Sequence, residues 1–401
     1  MNRTKKNILV SMVVLLSLNI QGQVLPYNAS LLNDLKAAYR QGDKAAVEAV
    51  GKLEAQAQKA MSAKAPIVKS KKLPPSNDPR DYMSLSRYWW PDSTKADGLP
   101  YVRHDGLVNP EIDDYTSAKS AGKMSGGVDV MSMMYYITAD TLYAYHCARY
   151  LRAWFLDSKT GMNPNMTFAQ IIPGRTYLRG TGILDARHIC RALNMSTLLD
   201  GYSGWTANDR QQLQAWAGAM LYWLENSTQG RKERNADNNH GLWYDVTHME
   251  VLAYLNRPDA IRQVIDVDLL RKLDTEIAAD GSLPEELKRT LSLHYSTFVL
   301  EALCQAATLA QSADVNLWKA STPSGKKLTD IIDYLLPYWL APEKWPHEQI
   351  KPFEPQRAAV ILYDVAQATG DKKYLHAARK IGLSRGNKKT QNILYYQLIK
   401  K

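Results

Sequence analysis

Two short segments about fifty residues apart carry the side chains best able to do chemistry together. The first is Asn238-Asn239-His240-Gly241-Leu242-Trp243-Tyr244, and the second is Arg289-Thr290-Leu291-Ser292-Leu293-His294-Tyr295. Between them they supply an amide, an imidazole, a guanidinium and a phenol. That set meets the needs of β-elimination on a uronic acid polysaccharide. Removing the C5 proton of a uronate builds negative charge beside an existing carboxylate, so donors must first offset that charge. Asn amides and an Arg guanidinium donate in fixed geometry and do not take the proton themselves. A base must then reach the C5 proton, and an acid must reach the glycosidic oxygen. Tyr295 can do both if its neighbours lower its pKa from about 10, and a nearby Arg and His act in that direction. His240, with an ordinary pKa of about 6.5, is the other candidate base.

Each of these side chains also has an ordinary structural use. Asn238 or Asn239 can cap a helix. His240 and Tyr295 can be buried with their polar atoms satisfied, and Arg289 can sit solvated at a loop-to-helix junction. Spacing argues for a shared role. Gly281-Ser282-Leu283-Pro284 marks a loop just ahead of the second segment. If a helix begins near Leu291, Arg289 lies just before its start and Tyr295 in its second turn, so both project at one rim.

The elements that must position them are helical. Residues 30–63 read as helix, from apolar residues at helical spacing and many Ala, Lys and Glu. Residues 65–135 are rich in Pro, Gly, Asp and Ser, show little periodicity, and are too aromatic for a plain linker. Beyond them the pattern predicts helices near 138–157, 184–199, 207–227, 240–255, 259–279, 291–313, 325–339, 354–369 and 372–383. Strand-like alternation is scarce. So many helices with short turns and no exact repeat predict an all-α fold, an (α/α) toroid or incomplete barrel of helical hairpins behind a long loop-rich N-terminal segment.

The chain opens with Met1-Asn2-Arg3-Thr4-Lys5-Lys6 and an apolar run from Ile8 to Leu18. This reads as a secretory signal, residues 1–23, followed by a single domain over 24–401. The run is too short to span a bilayer comfortably, so no membrane insertion is expected after signal removal, and a periplasmic or secreted location is. Removing Arg3, Lys5 and Lys6 takes the formal charge from +10 to +7. A basic exported protein meets anionic glycans more often than nucleic acid. The 23 Tyr and 10 Trp, against 4 Phe, suit glycan grooves, since these rings join a flat apolar face to a polar edge. Cys147, Cys190 and Cys304 give no disulfide framework and read as buried small hydrophobes.

A further set of motifs gives a resemblance. Ser86-Arg87-Tyr88-Trp89-Trp90-Pro91-Asp92 runs through Asp97-Gly98-Leu99-Pro100-Tyr101-Val102-Arg103 to Asp105-Gly106 and Asn109-Pro110-Glu111. Met162-Asn163-Pro164-Asn165, Ala169-Gln170 and Ile172-Pro173-Gly174 follow, then Arg179-Gly180-Thr181-Gly182-Ile183-Leu184-Asp185-Ala186-Arg187-His188. With the Asn-Asn-His and Arg-Thr-x-Ser-x-His-Tyr segments, this order resembles the alginate lyase superfamily of secreted bacterial proteins, most closely polysaccharide lyase family 38. The resemblance implies an (α/α) toroid with an anionic polysaccharide, alginate or a related polyuronate, in a groove across its open end. It implies metal-independent β-elimination with no cofactor. Asn239 and Arg289 would neutralise the C5 carboxylate. His240 would help, or act as base for one uronate epimer. Tyr295 would be the acid, and also the base when proton and leaving group share a face. Asn238, Arg179, Gln170, Tyr88, Trp89, Arg103 and His294 would bind substrate. Gly180-Thr181-Gly182 and Leu184 depart mildly from the family pattern.

Other readings are weaker. A glycoside hydrolase on a similar toroid needs two carboxylates, for which Asp185 and Glu285 are first candidates. A non-catalytic glycan-binding protein lacks a lipid-anchor Cys near the signal end. His240, His248 and Glu250 are spaced more widely than zinc ligands usually are, so no metal is expected.

Overall fold

The fold is described from a computed structural model covering residues 29–176, 178–384 and 390–399. The expected signal segment, residues 1–23, lies outside the described residues. Fifteen α-helices dominate the described residues. They are α1 (Ala29–Arg40), α2 (Lys44–Met61), α3 (Ser117–Thr138), α4 (Thr141–Leu151), α5 (Ala186–Met195), α6 (Ala207–Asn226), α7 (Thr228–Arg234) and α8 (Asn239–Tyr254). Then follow α9 (Pro258–Gln263), α10 (Leu270–Glu276), α11 (Pro284–Leu287), α12 (Ser292–Ala310), α13 (Leu328–Leu340), α14 (Gln356–Thr369) and α15 (Lys372–Ile381).

The sequence expectation of one helix over 30–63 is corrected to two. The chain breaks at Gln41-Gly42-Asp43, where the Asp43 carboxylate accepts from the Ala46 N–H at 2.9 Å and starts α2. A larger correction falls in the segment read as loop to residue 135. Its last quarter is α3, the longest helix described. Gly122, Gly126, Gly127 and several Ser give it poor intrinsic propensity, and unbroken burial from Gly127 to Met134 erases the one-faced pattern that periodicity detects. Packing sets one of these choices. A Cβ on Gly127 would lie 2.4 Å from the Tyr150 ring of α4, so the glycine lets two helices touch.

Five helices form an inner row. α3, α5, α8, α12 and α14 lie side by side in that order, while α4 backs α3, α6 and α7 back α8, and α15 backs α14. The C-terminal 3₁₀ segment Thr390–Leu398 packs on α1, α2, α3 and α14 and joins the two ends of the row. The result is an (α/α) toroid. α8 is its most enclosed member, with fourteen of its sixteen residues buried. The N-terminal halves of the inner helices meet at one rim. There the Arg187 guanidinium of α5 stacks 5.4 Å from Trp243 of α8 and 5.6 Å from Phe298 of α12.

The N-terminal segment lies across that rim and is held by two small sheets. β1 (Met83–Leu85) pairs in parallel with β4 (Phe168–Ile171), and β2 (Trp89–Trp90) pairs antiparallel with β3 (Val102–Arg103). Among the described residues no helix is long and apolar enough to cross a membrane. Cys147 and Cys190 are buried free thiols whose pKa burial pushes up, and Cys304 is free as well.

Candidate active site

The start of α8 sorts its two asparagines. Asn238 is the cap: its backbone is extended and its Oδ1 accepts from the His240 N–H at 2.9 Å. Asn239 therefore enters the first turn and points inward, 1% exposed. Its backbone N–H gives a 2.8 Å bond to Glu286, and its Nδ2 lies 2.9 Å from both oxygens of that carboxylate. In this state the donors of Asn239 serve a buried acid rather than the open rim. Glu286 comes from α11 and is 2% exposed; burial raises its pKa, while the Asn239 donors and Arg289 pull it down. The Oδ1 of Asn239 is buried with no hydrogen-bond partner.

His240 is also held by a buried acid. Its Nδ1 lies 2.7 Å from Oε1 of Glu233, which is 3% exposed against 21% for the imidazole. A carboxylate at Nδ1 fixes the hydrogen there and leaves the Nε2 lone pair for chemistry.

The start of α12 carries the second half. Ser292 accepts from the Trp345 indole at 2.8 Å and donates to the Glu348 carbonyl, which anchors this end. Arg289, just before the helix, spreads its guanidinium 3.6 Å above the Tyr295 ring. Its Nε and Nη2 donate to Asp105 at 3.1 and 2.7 Å. The Tyr295 hydroxyl donates to Tyr88 at 2.9 Å. Arg289 lowers the Tyr295 pKa as expected, but burial outweighs it, and the phenol titrates above its ordinary range. The condition for a dual role, a net lowering, is therefore not met, and Tyr295 is a protonated phenol through neutral pH. The phenol keeps its proton with the Arg289 guanidinium against its ring.

Residues 67–345 match the sequence profile of the alginate lyase family. The chain belongs to the alginate lyase family. It is a polysaccharide lyase. An alginate lyase from Bacteroides ovatus of known crystal structure is 30% identical, with 93% of this chain and 98% of that one covered at a TM-score of 0.87. A substituted form of alginate lyase A1-III, complexed with a tetrasaccharide, is 14% identical over 88% of this chain and 90% of its own, at a TM-score of 0.56. That second likeness is one of fold. A comparison with curated protein sequences found no match.

In this lyase the remaining expected groove residues fall in three places. Tyr88, Trp89 and Arg103 sit together on the N-terminal segment, with Trp89 opposite Arg103 across β2 and β3. Arg175 and Arg179 stack at 5.0 and 5.5 Å from the Trp89 ring, and Arg179 also donates to Ser86 at 3.0 Å. His294 neighbours Tyr295 and takes a 2.5 Å contact from Arg357 of α14. Gln170 differs: its amide donates to Asp185 at 2.9 Å, and its backbone takes a left-handed φ of 50°, unusual for a residue other than glycine.

The rival constellations do not assemble. Asp185 already accepts from Tyr82, Ser84 and Gln170. Glu285 faces solvent and pairs with Lys288. His248 pairs with Glu225, while Glu250 is bonded by Asn194 and Gln305. Sequence reasoning missed Glu233, Glu286 and Asp105 as partners. Glu233 sits in Arg231-Lys232-Glu233-Arg234, which looks like a solvated charge run, and only its burial reveals the role.

Proposed function

We propose that this lyase cleaves alginate by β-elimination, leaving an unsaturated uronate at the new non-reducing end. The observation that carries the reading is the Arg289–Tyr295 stack at the head of α12, with the carboxylate-fixed imidazole of His240 at the head of α8, the inner-row helix packed against α12. Arg289 offsets the uronate carboxylate, and an amide at the head of α8 adds a donor: Asn238 as it stands, or Asn239 once its Nδ2 is drawn away from Glu286. A base removes the C5 proton, its electron pair forms the C4–C5 double bond, the C4–O bond breaks, and the leaving oxygen takes the Tyr295 proton. When proton and leaving group lie on opposite faces of the ring, two groups are needed, and His240 Nε2 is the base. When they share a face, Tyr295 serves both steps only as the phenolate: it must first lose its own proton, then takes the C5 proton and returns it to the leaving oxygen, against the burial that favours the protonated phenol. The donor set supports elimination without a metal: a guanidinium and amides stand where an ion would otherwise polarise the carboxylate.

Arg103, Arg175 and Arg179 around Trp89 support binding of further anionic sugars, with Tyr88 and His294 nearer the reacting unit. The substrate follows the family and the Bacteroides ovatus relative, with glucuronan next. The finer placement in polysaccharide lyase family 38, and export by a signal over residues 1–23 to the periplasm or medium, rest on the sequence motifs. The test is ultraviolet absorbance of purified protein with polymannuronate, polyguluronate, glucuronan and a glycosaminoglycan, with chelator present. A rise on an alginate block is expected. New reducing ends without absorbance would overturn elimination, and loss of the signal on chelation would overturn metal independence.

A further inference from the structure

Asp105 sits in a nest built for a carboxylate. Five donors converge on it: Arg289 Nε and Nη2, Arg103 Nη2 at 2.6 Å, and the backbone N–H and hydroxyl of Thr290 at 3.3 and 3.2 Å. The next residue fixes the turn. Gly106 has φ of 76°, and a Cβ there would lie 2.7 Å from Thr290 Oγ1 and 2.8 Å from Ile350, so the loop is pressed against the start of α12. The Asp105 and Arg289 side chains are 18% and 16% exposed, so the pair is largely shielded. Asp105 takes one edge of the guanidinium and leaves the second Nη outside the pair. The carbon of the same guanidinium lies 3.6 Å from the centre of the Tyr295 ring. With two arginines on one aspartate, the triad keeps a net positive charge for a uronate carboxylate.

We propose that Asp105 is a positioning residue that holds the Arg289 guanidinium flat against Tyr295, so that the remaining Nη faces the substrate carboxylate while the charge beside the phenol is partly offset. The inference rests on the reading of Tyr295 as the acid. A carboxylate is needed there: an amide would give up the charge, and a shorter side chain would give up the two-point hold. An alternative occupant reading, in which Asp105 is a stand-in displaced by each incoming uronate, would require breaking all five bonds together and is disfavoured by the packed turn. Misorientation of Arg289 falls on the transition state more than on substrate binding, because the charge it offsets grows as the C5 proton leaves.

The experiment compares Asp105→Asn, Asp105→Glu and the milder Thr290→Val with the parent enzyme. In Asp105→Asn, kcat should fall roughly 10- to 100-fold, the order that small misplacements cost, with KM changed less than about threefold. Asp105→Glu should recover part of the loss, and Thr290→Val should cost a few-fold. Ultraviolet titration of the phenol, taken as the difference between Asp105→Asn and Asp105→Asn with Tyr295→Phe, should show Tyr295 ionising at lower pH than in the parent. A lower KM with kcat kept or raised would overturn the proposal in favour of a displaced stand-in. Unchanged kcat and unchanged phenol titration, with only a loss of thermal stability, would reduce Asp105 to a clasp. If Tyr295→Phe alone keeps full turnover, the acid reading fails; the titration still reads the Asp105–Arg289–Tyr295 contact directly, so the two failures are distinguishable.

Discussion

The two halves of the site are supported in opposite ways. At the head of α8, Asn239 and His240 are held by Glu286 and Glu233, buried acids on the neighbouring helices α11 and α7. At the head of α12, Arg289 and Tyr295 are held by Asp105 and Tyr88, both from the N-terminal segment that crosses the rim. The first half is complete once the helices pack. The second half needs a segment about 200 residues distant in sequence to be in place. The toroid therefore presets the imidazole and amides, and the crossing segment sets the arginine and the phenol.

Removing chemistry from the second half should give the largest effect. Tyr295→Phe deletes the proton given to the leaving oxygen, and turnover should fall roughly 10³-fold or more at unchanged KM. Ultraviolet absorbance on the preferred polymer reads this, and retained turnover would break the assignment. In the first half, Glu233→Gln keeps His240 in place but frees its tautomer, so kcat should fall about 10- to 100-fold. If only blocks with proton and leaving group on opposite faces lose rate, His240 is the base for those alone. The pH profile sharpens the contrast. Because burial lifts the Tyr295 pKa, its acid form persists as pH rises, and activity should show no tyrosine-linked fall until above the ordinary value of about 10.

Glu286→Ala tests support without touching a reacting group. The backbone N–H and amide of Asn239 would lose their partner in a buried place, at about 1–3 kcal/mol. Thermal unfolding and kcat should drop together. A drop in neither would show that the Asn239 orientation does not depend on Glu286.

The difference between the halves also explains what could be read in the sequence. The helices beyond residue 138 and the two site segments were legible because helical spacing and the residue types lie within short windows. α3 was not, since a helix rich in Gly and buried on all sides from Gly127 to Met134 loses both its propensity signal and its pattern. Site roles were legible as chemistry but not as orientation. Which asparagine caps and which turns inward depends on one φ, ψ pair at Asn238. The direction of the Tyr295 shift depends on burial, which no local window reveals. Glu233, Glu286 and Asp105 stayed hidden for the same reason: each is an ordinary charge in sequence and becomes a partner only through a contact seven, 47 or 184 residues away.

A second aspartate offers a control for the clasp in the site. Asp209 receives Arg152 Nε and Nη2 at 2.8 and 2.6 Å, the same two-point geometry that Asp105 offers Arg289, but on α6, where it also closes a capping box with Thr206. The arginine and the Thr206 donors hold the Asp209 pKa down at about 2. A depressed acid binds fewer protons folded than unfolded between about pH 4 and 2, so its contribution is fully present above that window and is lost as pH falls through it. Asp209→Asn should therefore lower stability at neutral pH by about 1–2 kcal/mol, a cap and a charged bond together. Arg152 is 38% exposed, and solvent screening holds the value at the low end. The deficit against the parent should shrink toward pH 2 in thermal unfolding, while kcat and the phenol titration stay unchanged. Should Asp209→Asn slow turnover as Asp105→Asn does, two-point aspartate–arginine pairs would matter here for rigidity alone, and position against Tyr295 would lose its meaning.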